Sequence, residues 1–214
     1  MELIGQRHII GVILAGGLSR RMGGGDKGLV SLGRTTMLGE IVRRVGPQVR
    51  SLILNANGDA ARFAELGLPV VGDATDDYPG PLAGVLTGMR WATANASGAT
   101  HVLSVSCDAP FLPADLTRRL AAALPVGGHG IAMARSNGEV HPVIGVWSID
   151  LADDIEAALD GGARKVRAWA DRHGAVAVDF PLLPAGQETI DPFFNANTPA
   201  ELAEARRLLD LVSS

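Results

Sequence analysis

Short apolar, β-branched runs alternate with segments of helical periodicity along most of this chain, and no other feature narrows its fold as much. The alternation is the signature of βαβ units, in which parallel strands are joined by crossover helices. Strands are expected at His8 to Leu14, Ser51 to Leu54, Pro69 to Val71 and His101 to Val105, each followed by a polar or Gly/Pro break. Between them, Leu82, Val85, Leu86, Met89 and Trp91 to Thr93 recur at helical spacing, and Pro113 to Leu124 reads as a helix with Pro in its first turn. Ile131 to Ala134 and Val143 to Ser148 flank Asn137-Gly138, a dipeptide suited to hairpin turns, so an antiparallel excursion at the sheet edge is expected. The last third reads as helices near Leu151 to Leu159 and Lys165 to His173, a strand at Val176 to Phe180 and a Pro/Gly-rich loop through Gly186. Thr198-Pro199-Ala200-Glu201 then starts a final helix running towards Leu211, with a cap, Pro at the first helical position and Glu three after the cap. The expected class is α/β with a mainly parallel sheet.

Composition sets the function classes that remain. The 214 residues suit one large domain, and with 47% hydrophobic and 20% charged residues the chain can build a sizeable core. A formal net charge of -4 without runs of like charge disfavours nucleic acid and anionic membranes as partners. The single cysteine, Cys107, excludes an internal disulfide framework and any Cys-based zinc site, and it fits a reducing cytoplasm. The start of the chain lacks a signal-peptide pattern, and the apolar run from Ile9 to Leu14 is far short of a membrane span. A cytoplasmic protein is expected.

The first strand runs into the most informative segment, Leu14 to Lys27, which holds Gly16, Gly17, Gly23, Gly24 and Gly25 together with Arg20, Arg21 and Lys27 against one Asp26. Glycines let backbone N–H groups turn inward on an anion, and the cations offset an acidic protein's repulsion of a polyphosphate. G-x-G-x-x-G does not directly follow the first strand, where the chain reads Ala15-Gly16-Gly17-Leu18, and G-x-x-x-x-G-K-[ST] is absent since Lys27 is followed by Gly28, so a Rossmann dehydrogenase and a P-loop NTPase lose ground. Asp108 closes an apolar strand just before Pro110. A carboxylate there can hold Mg²⁺ against phosphate oxygens, or it can serve a turn. Charge in so apolar a setting is expected to lack a partner until metal and nucleotide arrive.

Asn55 and Asp73 follow the second and third strands, so the strand ends converge on one crevice with groups that can bond a base or a ribose. Asp76-Asp77-Tyr78-Pro79-Gly80-Pro81-Leu82-Ala83-Gly84 leads into a helix whose N-terminus is expected to face that crevice. Two readings stay open for His141-Pro142, as pocket lining or as structure, and for Asn195-Ala196-Asn197, as amides for a heterocycle or as turn residues.

Leu14-Ala15-Gly16-Gly17, Arg21-Met22-Gly23-Gly24-Gly25-Asp26-Lys27, Asn55-Ala56-Asn57, Asp77 to Gly84, Cys107-Asp108 and Asn195 to Glu201 together resemble the molybdenum cofactor guanylyltransferase family, in order and over almost the whole chain. The resemblance implies a three-layer, Rossmann-like α/β fold of the nucleotide-diphospho-sugar-transferase type that transfers GMP from GTP to the terminal phosphate of molybdopterin and releases pyrophosphate. It implies GTP contacts at Leu14, Ala15, Gly16, Gly17, Lys27, Asn55, Asp73 and Asp108, with Mg²⁺ held by Asp108. Arg21, Gly84, His141, Arg164, Asn195 and Asn197 are implied on the pterin side, and Lys27, Asp108 and Arg21 carry the expected catalysis. One domain is expected, its GTP-binding part spanning about 8–125 and its pterin-side and C-terminal part about 126–214. Molybdoenzyme chaperones or cofactor-insertion proteins are the implied downstream partners. Ala200 stands where an acidic residue is expected, at the helix start and away from the chemistry.

Three alternatives remain. Cytidylyl transfer to the same pterin is expected to open on Ala-Ala-Gly in place of Ala15-Gly16-Gly17. Sugar-1-phosphate nucleotidylyl transfer is expected to carry G-T-R and Pro-Lys where this chain has Leu18-Ser19-Arg20 and Asp26-Lys27. A non-catalytic nucleotide-sensing or adaptor module is disfavoured by retention of Lys27 and Asp108 together.

Overall fold

The computed structural model of the chain describes residues 4–16, 27–73, 80–125 and 129–212. Among these, β1 (Ile9–Leu14), β2 (Ser51–Asn55), β3 (Val70–Val71), β4 (His101–Ser106), β5 (Ile131–Ser136), β6 (Glu139–Ser148) and β7 (Val176–Asp179) form one sheet in the order β3-β2-β1-β4-β6-β5-β7. Every pairing is parallel except those of β6, which runs antiparallel to both β4 and β5. The central strands are buried on both faces, which is why they read as unbroken apolar runs. On β1 the faces alternate: Ile9 and Ile13 join one core cluster, Ile10 and Val12 the other.

Helices cover the two faces. α1 (Met37–Val45), α3 (Leu116–Ala122) and α6 (Pro199–Val212) bury Leu38, Ile41, Leu116, Leu120, Leu202 and Leu208 in the first cluster. α2 (Pro81–Asn95), α4 (Ala152–Asp160) and α5 (Val166–Arg172) bury Leu82, Val85, Met89, Ile155, Leu159 and Trp169 in the second. The result is a three-layer α/β/α arrangement, as expected. β5 and β6 are joined by Asn137 (φ 48°) and Gly138 (φ 82°), two successive positive-φ residues that match the twist of a tight hairpin. The expected edge excursion is thus real, but it lies inside the sheet because β7 adds beyond β5.

Three expectations need correction. α1 is an element for which the sequence reading makes no provision; its one local signal is the Thr36 cap, whose hydroxyl accepts from Gly39 N at 3.0 Å. α3 begins at Leu116, because Pro113 spends its carbonyl on the preceding turn, accepting from Leu116 N at 3.2 Å. The Pro/Gly-rich loop contains a small antiparallel pair, β8 (Leu183–Ala185) and β9 (Glu188–Ile190), turned by Gly186 at φ 63°. α6 starts as read. Glu201 Oε2 accepts from Thr198 N at 2.8 Å and Thr198 Oγ1 accepts from Glu201 N at 3.2 Å, a reciprocal capping box.

Candidate active site

β1 leads on one side to β2 and β3, while β4 lies on its other side; this reversal opens a crevice at the strands' carboxyl ends. The parallel ladder continues past the strand ends, with Ala15 N donating to Asn55 O at 2.8 Å and Cys107 N to Leu14 O at 3.2 Å. Leu14, Ala15, Asn55 and Asp108 are therefore delivered to one rim by main-chain bonding. Gly17, Arg21 and the rest of 17–26 lie outside the described residues, as do Asp76, Asp77, Tyr78 and Pro79.

At the β1/β4 junction Lys27 Nζ donates to Asp108 Oδ2 at 2.6 Å and also to Asn197 Oδ1. Ser106 donates its hydroxyl to Asp108 Oδ1. The lysine and aspartate side chains are only 13% and 15% exposed, so their attraction is far less screened than in a surface pair. The expectation that Asp108 lacks a partner is thus corrected: Lys27, 81 residues away in sequence, neutralises it. Ala196 N donates to Asp108 O at 3.0 Å, so the segment entering α6 is tied by main chain to the same aspartate.

A second polar group lies beyond β2 and β3. Asn55 Nδ2 donates to Asp73 Oδ1 at 2.9 Å and to Val71 O at 3.2 Å. Asn57 Nδ2 donates to Asp73 Oδ2 at 3.0 Å, while Asp73 N donates back to Asn57 Oδ1 at 2.8 Å. Thr87 Oγ1, on α2, reaches Asp73 Oδ1 at 3.3 Å. A Cβ added at Gly16 meets Asn55 Oδ1 at 3.7 Å and Asp73 Oδ2 at 3.8 Å, which places the β1 loop against this group. Gly84, expected on the pterin side, lies against Asn55 and Leu14, two residues expected to contact GTP. A Cβ there sits 2.4 Å from Asn55 Oδ1 and 2.7 Å from Leu14 Cδ2, so only glycine lets α2 approach this closely.

The third group belongs to the other half of the sheet. His141 Nε2 and Ser136 Oγ are 2.7 Å apart, Ser136 Oγ donates to Asp191 Oδ1 at 2.7 Å, and the His141 ring packs on Phe193 with centroids 4.7 Å apart. Burial pushes the His141 imidazole below its ordinary pKa, against the smaller upward pull of Asp191 and Glu139. Asn195 is exposed two residues beyond Phe193. Arg164 is not brought into these groups: it sits between α4 and α5 and donates to Leu159 O at 3.3 Å and Ala163 O at 2.9 Å.

Sequence reasoning missed Asn57, Thr87, Ser106, Ser136 and Asp191 as site components. Asn57 and Ser106 each stand two residues from a recognised position, a spacing that returns a side chain to the same side of an extended chain. Thr87, Ser136 and Asp191 carry no local signal.

Residues 11–176 match the model of the MobA-like NTP transferase domain. Molybdenum cofactor guanylyltransferase from a Bradyrhizobium species is 46% identical over 92% of each chain. The chain belongs to the molybdenum cofactor guanylyltransferase family. Its fold is shared with molybdopterin-guanine dinucleotide biosynthesis protein A from Archaeoglobus fulgidus, at TM-score 0.69 and 20% identity over 94% of this chain and 98% of that one. A Mycobacterium tuberculosis protein solved as a complex with manganese has the same fold, at TM-score 0.61 and 22% identity over 95% and 98% of the two chains. As a family member the chain is a nucleotidyltransferase on an α/β scaffold, and no helix among the described residues is long and apolar enough to cross a membrane.

Among the described residues no group of three or more His, Cys, Asp or Glu side chains could by itself hold a metal ion. Mg²⁺ usually keeps several waters and takes one or two carboxylates plus phosphate oxygens, and Asp108 with its Ser106 neighbour offers one carboxylate at the rim.

Proposed function

We propose that this protein transfers GMP from GTP to the terminal phosphate of molybdopterin, forming the guanine dinucleotide form of the cofactor and releasing pyrophosphate. The observation that carries the reading is the Lys27–Asp108–Asn197 cluster at the β1/β4 switch point, with the Asn55–Asp73–Asn57 group beside it on the same rim. One group suits a charged, metal-bound polyphosphate and the other a base rich in hydrogen-bond donors.

In this reading Leu14, Ala15, Gly16 and Gly17 line the nucleotide, and Asp73 with Asn55 accepts and donates at the guanine edge or ribose. Asn57 and Thr87 hold the Asp73 carboxylate in register. Lys27 exchanges Asp108 for phosphate oxygens, while Arg21 adds positive charge. The acceptor phosphate arrives ionised and needs no general base, so the protein's task is to align it with the α-phosphorus and neutralise the charge that moves to the leaving pyrophosphate. Mg²⁺, when bound, supplies further neutralisation, and Asp108 is the side chain that would hold it. His141, Asn195 and Asn197 are assigned to the acceptor side and Gly84 to clearance beneath Asn55, while Arg164, bonded to Leu159 O and Ala163 O, is given no part in it. The nucleotide part then spans about 8–125 and the acceptor part about 126–214 of one domain. A cytoplasmic setting, with molybdoenzyme chaperones or insertion proteins taking the product, completes the proposal.

The test is incubation with each NTP in turn, Mg²⁺ and molybdopterin, followed by mass analysis of the pterin product. GTP should be the one efficient donor, since a site built to bond the guanine edge leaves buried polar groups unpaired with another base. Equal or better turnover with CTP overturns the guanylyl assignment.

A further inference from the structure

The hydrogen bonds around Ser136 fix more than its own position. A serine hydroxyl has one proton, and an ionised carboxylate can only accept. The Ser136 proton therefore goes to Asp191 Oδ1, 2.7 Å away, and the bond between Ser136 Oγ and His141 Nε2 must be donated by the imidazole. Ser136 itself is buried at 1% exposure, and Asp191 Oδ1 is further fixed by Phe193 N at 2.8 Å. The chain Asp191–Ser136–His141 thus holds the proton on Nε2, and the neutral ring keeps a lone pair on Nδ1. That nitrogen has no hydrogen-bond partner among the described residues.

The position of the ring gives the lone pair a use. Because β6 is antiparallel to its neighbours, its first residues lie at the carboxyl ends of the parallel strands; His141 pairs with Ala134 near the end of β5. One strap of chain then joins the ring to the reaction centre. Asp191 bonds Ser136, Phe193 packs on His141, Ala196 N bonds Asp108 O, and Asn197 accepts from Lys27. Phe193 and Ala196 are three residues apart, at most about 11 Å of extended chain. An acceptor whose phosphate reacts beside Lys27 and Asp108 and whose body extends along the strap therefore brings its far end to His141.

We propose that Ser136 and Asp191 are positioning residues that lock His141 in the Nε2–H form, so that its Nδ1 accepts a hydrogen bond from a ring N–H or exocyclic amine of the acceptor heterocycle. This rests on the reading of the acceptor as a pterin, a heterocycle that carries both donors. The arrangement selects for a donor at that point and against an acceptor such as a carbonyl, because two lone pairs facing each other in a half-buried site leave both unsatisfied. Phe193, its ring tilted 47° to the imidazole at a centroid distance of 4.7 Å, gives His141 an apolar packing partner.

Two measurements on full-length protein test it. Nitrogen-15 NMR of the histidine rings at pH 7.5 should show His141 as the Nε2–H tautomer, and Ser136→Ala, which removes the acceptor for that proton, should shift the ring towards the Nδ1–H form. In steady-state assays Ser136→Ala should raise the KM for molybdopterin about tenfold, the scale of one lost hydrogen bond, with KM for GTP and kcat near wild type. Ser136→Thr, which keeps the hydroxyl, should restore both signals. An Nδ1–H tautomer in the wild type overturns the proposal, as does a molybdopterin KM unmoved in Ser136→Ala. Wild-type protein that transfers no nucleotide to molybdopterin overturns the pterin reading beneath it, and the tautomer measurement then tests the lock by itself.

Discussion

The two halves of the sheet equip the same rim by different means. In the half built on β1 to β4, each site residue but Lys27 sits at or just beyond the end of a parallel strand or on the helix that covers it, and Asn55 and Asp108 reach the crevice through main-chain ladders that extend the strands. In the half built on β5 to β7, the rim is made by a hairpin and by a strap from Asp191 to Asn197 that crosses back to β4. The first half shows how a strand end alone can aim a side chain. The second shows that aim can also come from a chain segment with no regular structure, provided its ends are tied to fixed groups.

Substitutions in the first half should therefore strike chemistry and nucleotide affinity, and those in the second the acceptor. The largest effect is expected at the charged pair. Lys27→Ala should lower turnover by about 10²–10³-fold, the scale for one preorganised electrostatic contact, and Asp108→Asn by about 10²-fold or more. Neither should be stabilising, because each removes half of a largely buried ion pair and leaves the other charge uncompensated. Initial rates and thermal unfolding on the same samples check this; an active but destabilised Asp108→Asn protein would reduce Asp108 to a turn residue.

Gly84→Ala comes next. The added methyl meets Asn55 Oδ1, an atom held by a buried amide with two bonds of its own, and the overlap should cost about 1–3 kcal/mol of stability. The KM for GTP should rise several-fold while that for molybdopterin stays put. A rise in both would blur the division between the halves. Asn57→Ala frees one oxygen and the amide of Asp73, so GTP selectivity over other nucleotides should fall about tenfold with kcat for GTP largely kept, measured in the NTP panel.

The smallest effect is on pH dependence. Burial holds the His141 pKa below its ordinary value, more than Asp191 and Glu139 raise it. A group whose pKa is depressed by folding contributes stability that is present above its unfolded pKa, about 6.5, and lost as pH falls through the folded value. Between pH 7.5 and 5.5 the unfolding midpoint should thus fall further in wild type than in His141→Gln, in which that group no longer titrates. Equal decreases would mean that folding does not disfavour the charged ring.

Much of this molecule is written locally. The run from Ile9 to Leu14 is a strand buried on both faces, Asn137-Gly138 can turn a hairpin, and Thr198 with Glu201 caps a helix, because each depends on residues only a few positions apart. The same holds for Asp108 and Asn55 as strand-end groups, and the family resemblance follows from motifs of that kind. Tertiary structure alone decided that Lys27 neutralises Asp108 across 81 positions, that Gly84 serves Asn55, and that Asp191 reaches Ser136 across 55. It also placed β7 outside β5, moving the hairpin from the edge to the interior of the sheet. Sequence periodicity records which face of an element is apolar, whereas these pairings depend on how separately formed elements dock, and docking is set by the summed packing of both core layers rather than by any one segment.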